Sequence, residues 1–260
     1  MKIPGYSERG ILNALVDEIR CADDADALFG KLIETAKFPR CEDKPPSGKI
    51  TFLNEHSFSE FGEPDAIALI SSKEEKCAIF IEAKVKTWAE KGWFLHKEFS
   101  VFANGVELPK MPAGFSSNLF TQLYYKQQIV QHSFSELEAS IEFPPWSFTE
   151  ERQKSGNTKR KVGKSPIVHK VIKMVQEYCE TVFYLMLIPD SNKNAEKFFE
   201  DDLPTTLPKV SGWDASHYGY LTWATVEKFC GNHDLKDTLA VFKHNEGDKD
   251  YNGQIYKKHQ

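Results

Sequence analysis

The sequence predicts an α/β fold in which a mixed central sheet carries helices on both faces. Two short runs rich in apolar and β-branched residues, Asp65–Ile70 and Cys77–Lys84, flank the polar stretch Ser71-Ser-Lys-Glu-Glu-Lys76 and read as a hairpin of strands. Helical segments lie on either side of it, an amphipathic one at 6–19 and a second at 118–130. A further strand-forming run, Thr181–Ile188, follows a third helical segment, so helices and strands alternate beyond the hairpin. At 260 residues, 40% of them hydrophobic, the chain can bury one large core. The expected organisation is a single domain over 1–243 and a polar tail over 244–260.

Taken in order, Tyr6–Ile19 has Ser7 as N-cap and apolar positions at 11, 12, 15, 16 and 19, which makes one face of an amphipathic helix. A second helix is expected over Ala25–Ala36, and an irregular connection around Pro39, Pro45 and Pro46. In the hairpin site, 61–88, symmetrical folding of the turn sets Asp65 directly opposite Glu82, and opposed residues of antiparallel strands point to the same face. Lys84 shares that face, two residues on. The other hairpin positions are apolar on both faces (Ile67, Leu69 and Phe80 on one; Ala66, Ala68, Ile70, Ile79 and Ile81 on the other), as suits central strands covered on both sides.

Residues 90–117 mix aromatics, Gly and Pro without period and read as an inserted loop or short strands beside the site. Asn118–Val130 is helical. A basic loop, 150–164, turns at Ser155-Gly-Asn-Thr158 and leads into a helix that starts with Ser165-Pro166. Thr181–Ile188 is a strand ended by Pro189, Asn194–Glu200 a short helix and Tyr218–Val226 another strand.

The charges at the hairpin end need an explanation. Two carboxylates about 4 Å apart repel by on the order of 4 kcal/mol at a typical effective protein dielectric, and desolvation adds to this. Lys84 can offset one charge, and a pocket of clustered carboxylate oxygens is also what a hard divalent cation such as Mg2+ prefers. A plain ion pair where a hairpin meets solvent is the alternative that the residues alone leave open.

The order Pro64-Asp65, then Glu82-x-Lys84 seventeen residues after the Asp, with strands between, resembles the PD-(D/E)xK signature of the restriction-endonuclease-like nuclease superfamily. The N-terminal helix with Glu8 in its first turn, and Gln122 with Tyr125 on the later helix, are similar to accessory elements of that superfamily. The commonest spacing of the Gln–Tyr pair would put the tyrosine at 126, where this chain has Lys126. The resemblance implies a restriction-endonuclease-like sheet and hydrolysis of phosphodiester bonds in nucleic acid, DNA above all, with Mg2+ or Mn2+ as cofactor. It implies Asp65 and Glu82 as metal ligands, the backbone carbonyl of Ala83 as a further ligand and Glu8 as an outer or direct one. Lys84 would orient the attacking water, Gln122 would position water or phosphate, and Glu63 is a candidate base standing outside the metal ligands. The alternatives are helix-dipole stabilisation for Glu8, a helix-surface amide for Gln122, and, for the whole chain, a nuclease-fold protein that binds nucleic acid or a protein without cutting.

Composition narrows the field. No apolar run approaches the roughly 20 residues of a membrane span, and the N-terminus lacks the apolar stretch of a signal peptide; a cytoplasmic protein with no membrane partner is expected, and a homodimer is compatible. Five cysteines without a CxxC pair read as reduced thiols, with Cys77 and Cys179 in the core. Cys230 and His233 lack the second pair that a zinc site needs. No GxxxxGK[ST] or GxGxxG occurs, which removes support for a nucleotide-driven motor. The net charge of −5 does not describe a surface coated in basic groups, yet Arg152–Lys173 contains eight Lys and Arg and no acidic residue. Lys159, Arg160, Lys161 and Lys164 there could track phosphates, the alternative being a solvated insertion.

Overall fold

In a computed structural model, described over residues 8–85 and 94–247, the chain folds around a five-stranded mixed sheet. It opens with helices α1 (Glu8–Arg20) and α2 (Ala25–Glu34), followed by strands β1 (Lys49–Asn54), β2 (Ala66–Ser71) and β3 (Lys76–Ala83). Helices α3 (Leu95–Gly105), α4 (Leu119–Gln131) and α5 (Phe134–Ala139) follow, then β4 (Ile141–Glu142), α6 (Glu150–Lys154), β5 (Lys159–Arg160) and α7 (Pro166–Gln176). Strand β6 (Thr181–Ile188), α8 (Asn192–Lys197), β7 (Tyr218–Thr222), α9 (Trp223–Asn232) and α10 (Lys236–Gly247) complete the order.

The main sheet runs β1-β2-β3-β6-β7, antiparallel across the first three strands and parallel from β3 onward. The parallel step from β3 to β6 needs a long crossover, and α3, α4 and α7 supply it on one face. That face packs Ile67, Leu69 and Phe80 against aromatic side chains of the crossover, among them Phe102, Phe120 and Trp146. The opposite face packs Ala66, Ala68, Ile79 and Ile81 against α1, α2, α9 and α10. The apolar character of both hairpin faces thus has its cause in two-sided cover, as expected. Ile79 and Phe80 are fully buried, each stabilising by about 1.5–3 kcal/mol, so β3 is a stiff, dry strand when it reaches its polar end.

Several elements differ from expectation. Strand β1 lies in what reads as irregular sequence; half-buried Ile50 and Phe52 alternate with exposed Lys49 and Thr51, and Leu53 is its one buried residue, the pattern of an edge strand. Within 90–117 the described part, from 94 onward, is mainly helix α3, and its first turn is capped from 95 positions away, by Asp190 Oδ2 accepting from Leu95 N at 3.0 Å. A remote cap leaves no local signature. Strand β7 ends at Thr222 rather than 226, because the Thr222 side chain accepts from Thr225 N and starts α9. Helix α10 extends through the expected tail as far as Gly247, while 248–260, like 86–93 at the end of the hairpin site and the start of the insertion, lie outside the described residues. Among the described residues no helix is long and apolar enough to cross a membrane. The five cysteines are free, and burial pushes the thiols of Cys77, Cys179 and Cys230 up to about 12.

Candidate active site

The register of the hairpin decides where its charges go. Ala66 pairs with Ile81 and Ile67 with Phe80, so one more step sets Asp65 opposite Glu82. Asp65 lies just before β2 and closes the pair itself: its Oδ2 accepts from Ala83 N at 2.8 Å. Both carboxylates are buried, Glu82 completely. They project on the side of the sheet covered by α4, since Glu82 alternates with Phe80 and Ala78 of that face.

Helix α4 brings the next groups. Asn118 caps it, accepting from Phe120 N and Thr121 N, and the following turns carry Gln122 and Lys126 along one side at a spacing of four. Gln122 Oε1 accepts from Lys84 Nζ at 2.6 Å. Lys84 itself is anchored at the backbone, its N–H donating to Leu187 O at 2.8 Å and its C=O accepting from Trp223 Nε1 at 2.7 Å. The expected trio Asp65, Glu82 and Lys84 therefore shares one strand end with Gln122.

The counter-charges differ from those expected. Lys84 was the expected partner of the carboxylates, but among the described residues their ion pairs run to Arg9 and Lys126. Arg9 Nε lies 3.4 Å from Asp65 Oδ1, with the rest of the guanidinium 3.8 Å from Glu55 and from Glu63. Lys126 Nζ lies 3.4 Å from Glu82 Oε1 and donates to the Phe61 carbonyl at 3.1 Å. Neither residue was expected in the site. A lysine four positions after Gln122 on a helix was legible as a second group on the same side; Arg9 carried no signal. Neither oxygen of Glu82 has a well-formed hydrogen bond. Burial pushes its carboxyl up to about 7, with a contribution from Asp65, against the opposing pull of Lys126. Burial likewise lowers the Lys126 ammonium.

The other expected residues fall as follows. Glu8 is the first residue of α1, and its side chain lies outside the described residues. Glu63 is exposed and paired with Arg9. Tyr125 points away from the carboxylates, its hydroxyl accepting from Arg160 at 3.0 Å. Arg160 is a correction to the expected phosphate-tracking set. It is buried, donates to the Glu60 carbonyl and to Ser147 O at 2.8 Å, and stacks over Tyr125, Phe143 and Phe148. Lys159, Lys161 and Lys164 are exposed, and Lys159 also pairs with Glu142 at 3.2 Å. The basic segment is therefore a structured β4–β5 arm docked on Glu60 through Arg152 and Arg160 rather than a free loop.

Asp65 and Glu82 offer carboxylate oxygens suited to a hard divalent cation: Glu82 Oε2 has no hydrogen-bond partner among the described residues, Oε1 faces Lys126, and Asp65 Oδ1 faces the half-exposed Arg9. Among the described residues no group of three His, Cys, Asp or Glu side chains gathers for a metal; further oxygens would come from the Ala83 carbonyl and from water or a bound phosphate. Comparison of the chain with models of protein families, with curated proteins and with solved structures finds no match. The site's meaning rests on its own geometry: a paired-carboxylate, lysine-bearing strand end on an α/β sheet.

Proposed function

We propose that this chain is a restriction-endonuclease-like, Mg2+- or Mn2+-dependent phosphodiesterase that hydrolyses nucleic acid, DNA above all. The observation that carries the reading is the meeting, at the end of β3, of Asp65, the unbonded Glu82 oxygens and a lysine held by Gln122 at 2.6 Å. Asp65 and Glu82 would hold a divalent cation, with the Ala83 carbonyl as a further ligand, and the ion would supply Lewis acidity toward a phosphate and lower the pKa of bound water. Lys84 contributes a positive charge that stabilises charge building on phosphate oxygens, and Gln122 fixes where that charge stands. Ala83 N fixes the orientation of the Asp65 carboxylate through Oδ2, and the half-exposed Arg9 stands at Oδ1, the oxygen a metal would take. Glycoside hydrolysis is a poorer fit, because it gives no role to a lysine two residues beyond the acid.

Nicking of supercoiled plasmid in Mg2+ or Mn2+, with an EDTA control, tests the reading. Wild type should cut, and Glu82→Ala and Lys84→Ala should lose at least about a hundredfold in rate while melting as one cooperative transition. Near wild-type cutting by either variant would overturn the assignment. A second reading, a nuclease-fold protein that binds without cutting, is favoured by one observation: Arg9 and Lys126 already face both carboxylates. Tight DNA binding with no nicking under any divalent ion would select it.

A further inference from the structure

A phosphodiesterase centre built on Asp65, Glu82, Lys84 and Gln122 has no task for Lys126, yet its ammonium stands in the site. The side chain is 1% exposed, with Nζ 3.4 Å from Glu82 Oε1 on one side and bonded to the Phe61 carbonyl on the other. That carbonyl is presented by a turn through Gly62 at φ 79°, where a Cβ would come within 3.2 Å of Nζ. The ammonium is thus held between a carboxylate and a fixed oxygen inside the core. A buried side chain so placed cannot swing aside as a surface lysine does.

The position matters because of what else could use it. Two-ion phosphodiester-cleaving centres hold their cations about 3.5–4 Å apart on shared carboxylates. Here the two described carboxylates already meet Arg9 and Lys126, with Lys84 beside them. One face of Glu82 is taken by a positive charge, and Asp65 Oδ2 is taken by Ala83 N. A first dication between the two acids would take Asp65 Oδ1 from Arg9, which is half-exposed and can swing out; a second would have to share Glu82 with an ammonium that has nowhere to go.

We propose, on the reading of this site as a metal-dependent phosphodiesterase centre, that Lys126 is its built-in second cation, occupying the side of Glu82 that a second divalent ion would take, so that the centre binds a single divalent ion. Lys126 is then a positioning residue that sets the metal count. Equilibrium dialysis against Mn2+, with free ion read by EPR at about pH 8 where carboxylate ligands are deprotonated, tests this on the full chain. Wild type should bind one Mn2+ per chain. Lys126→Gln, which removes the charge but keeps a donor, should take up a second ion, and Lys126→Arg, which keeps the charge, should bind one. If Lys126→Gln does not fold, Lys126→Met serves for the same count. Two ions on wild type, or one on a folded uncharged variant, would overturn the role of Lys126 while leaving the metal reading intact. No Mn2+ on wild type would overturn both.

Discussion

Glu82 is where the forces in this molecule compete most directly. A fully buried carboxylate loses its hydration, and one ammonium at 3.4 Å does not restore it, so its proton is held up to about 7. An unfolded glutamate releases that proton near 4.5. Between those two values the folded state binds more protons than the unfolded one, and stability falls as pH rises through the window. Lys126 acts with the opposite sign: burial lowers its proton affinity, so it favours the folded state as pH approaches the ordinary lysine value from below. Thermal melting of the metal-free protein should therefore decline from pH 4.5 to 7, and Glu82→Gln, which has no proton to release, should flatten that decline. Superimposable pH profiles for the two proteins would show that Glu82 does not carry the effect.

Elements turn these residues into a site. Helix α4 matters because one turn separates Gln122, which holds Lys84, from Lys126, which faces Glu82, so a single rigid body fixes both. The β4–β5 arm has a comparable internal rivet in Arg160. Removing the guanidinium strands the Glu60 and Ser147 carbonyls and the Tyr125 hydroxyl, and Arg160→Gln should destabilise by about 2–4 kcal/mol. The exposed neighbours should behave differently. Changing Lys161 and Lys164 together to Gln should alter stability by no more than about 0.5 kcal/mol, yet reduce the slope of log affinity for DNA against log salt by about 2. An unchanged salt slope would assign both lysines to solvent alone.

At the scale of the whole molecule, the paired acids link metal to folding. An ion bound only by the folded state stabilises it by about 2.7 kcal/mol at a hundred times Kd, which corresponds to a rise of roughly 5–10 °C in melting temperature for a domain of this size. Asp65→Asn keeps an oxygen for Ala83 N and removes a like charge opposite Glu82. Its metal-free form should melt at or above wild type, since the half-exposed Arg9 contact it loses is worth little, and its response to Mg2+ or Mn2+ should largely vanish. A lower melting point without metal, and no response to metal in either protein, would make Asp65 a structural partner of Arg9.

What the sequence by itself determined is local and periodic. The hairpin, its register and its two apolar faces follow from a six-residue polar stretch between β-branched runs, whose outer residues Ser71 and Lys76 pair, and with them the opposition of Asp65 and Glu82. The amphipathic α1 and α7, the helices α2 and α4 and the strand β6 were legible from local pattern, although α4 proves buried nearly all round rather than on one face. Strand β1 was readable from the alternation of Ile50 and Phe52 but was masked by its prolines upstream. Tertiary structure decided the rest, because the deciding partners are distant in the chain. Asp190 caps α3 from 95 positions away, Arg9 reaches Asp65 across 56, and the inward turn of Arg160 depends on a carbonyl 100 residues earlier. Charge alone cannot say which cation meets which acid. In this protein, packing against the sheet sent Lys126 rather than Lys84 to Glu82, and so gave a buried carboxylate a counter-charge that its own strand did not provide.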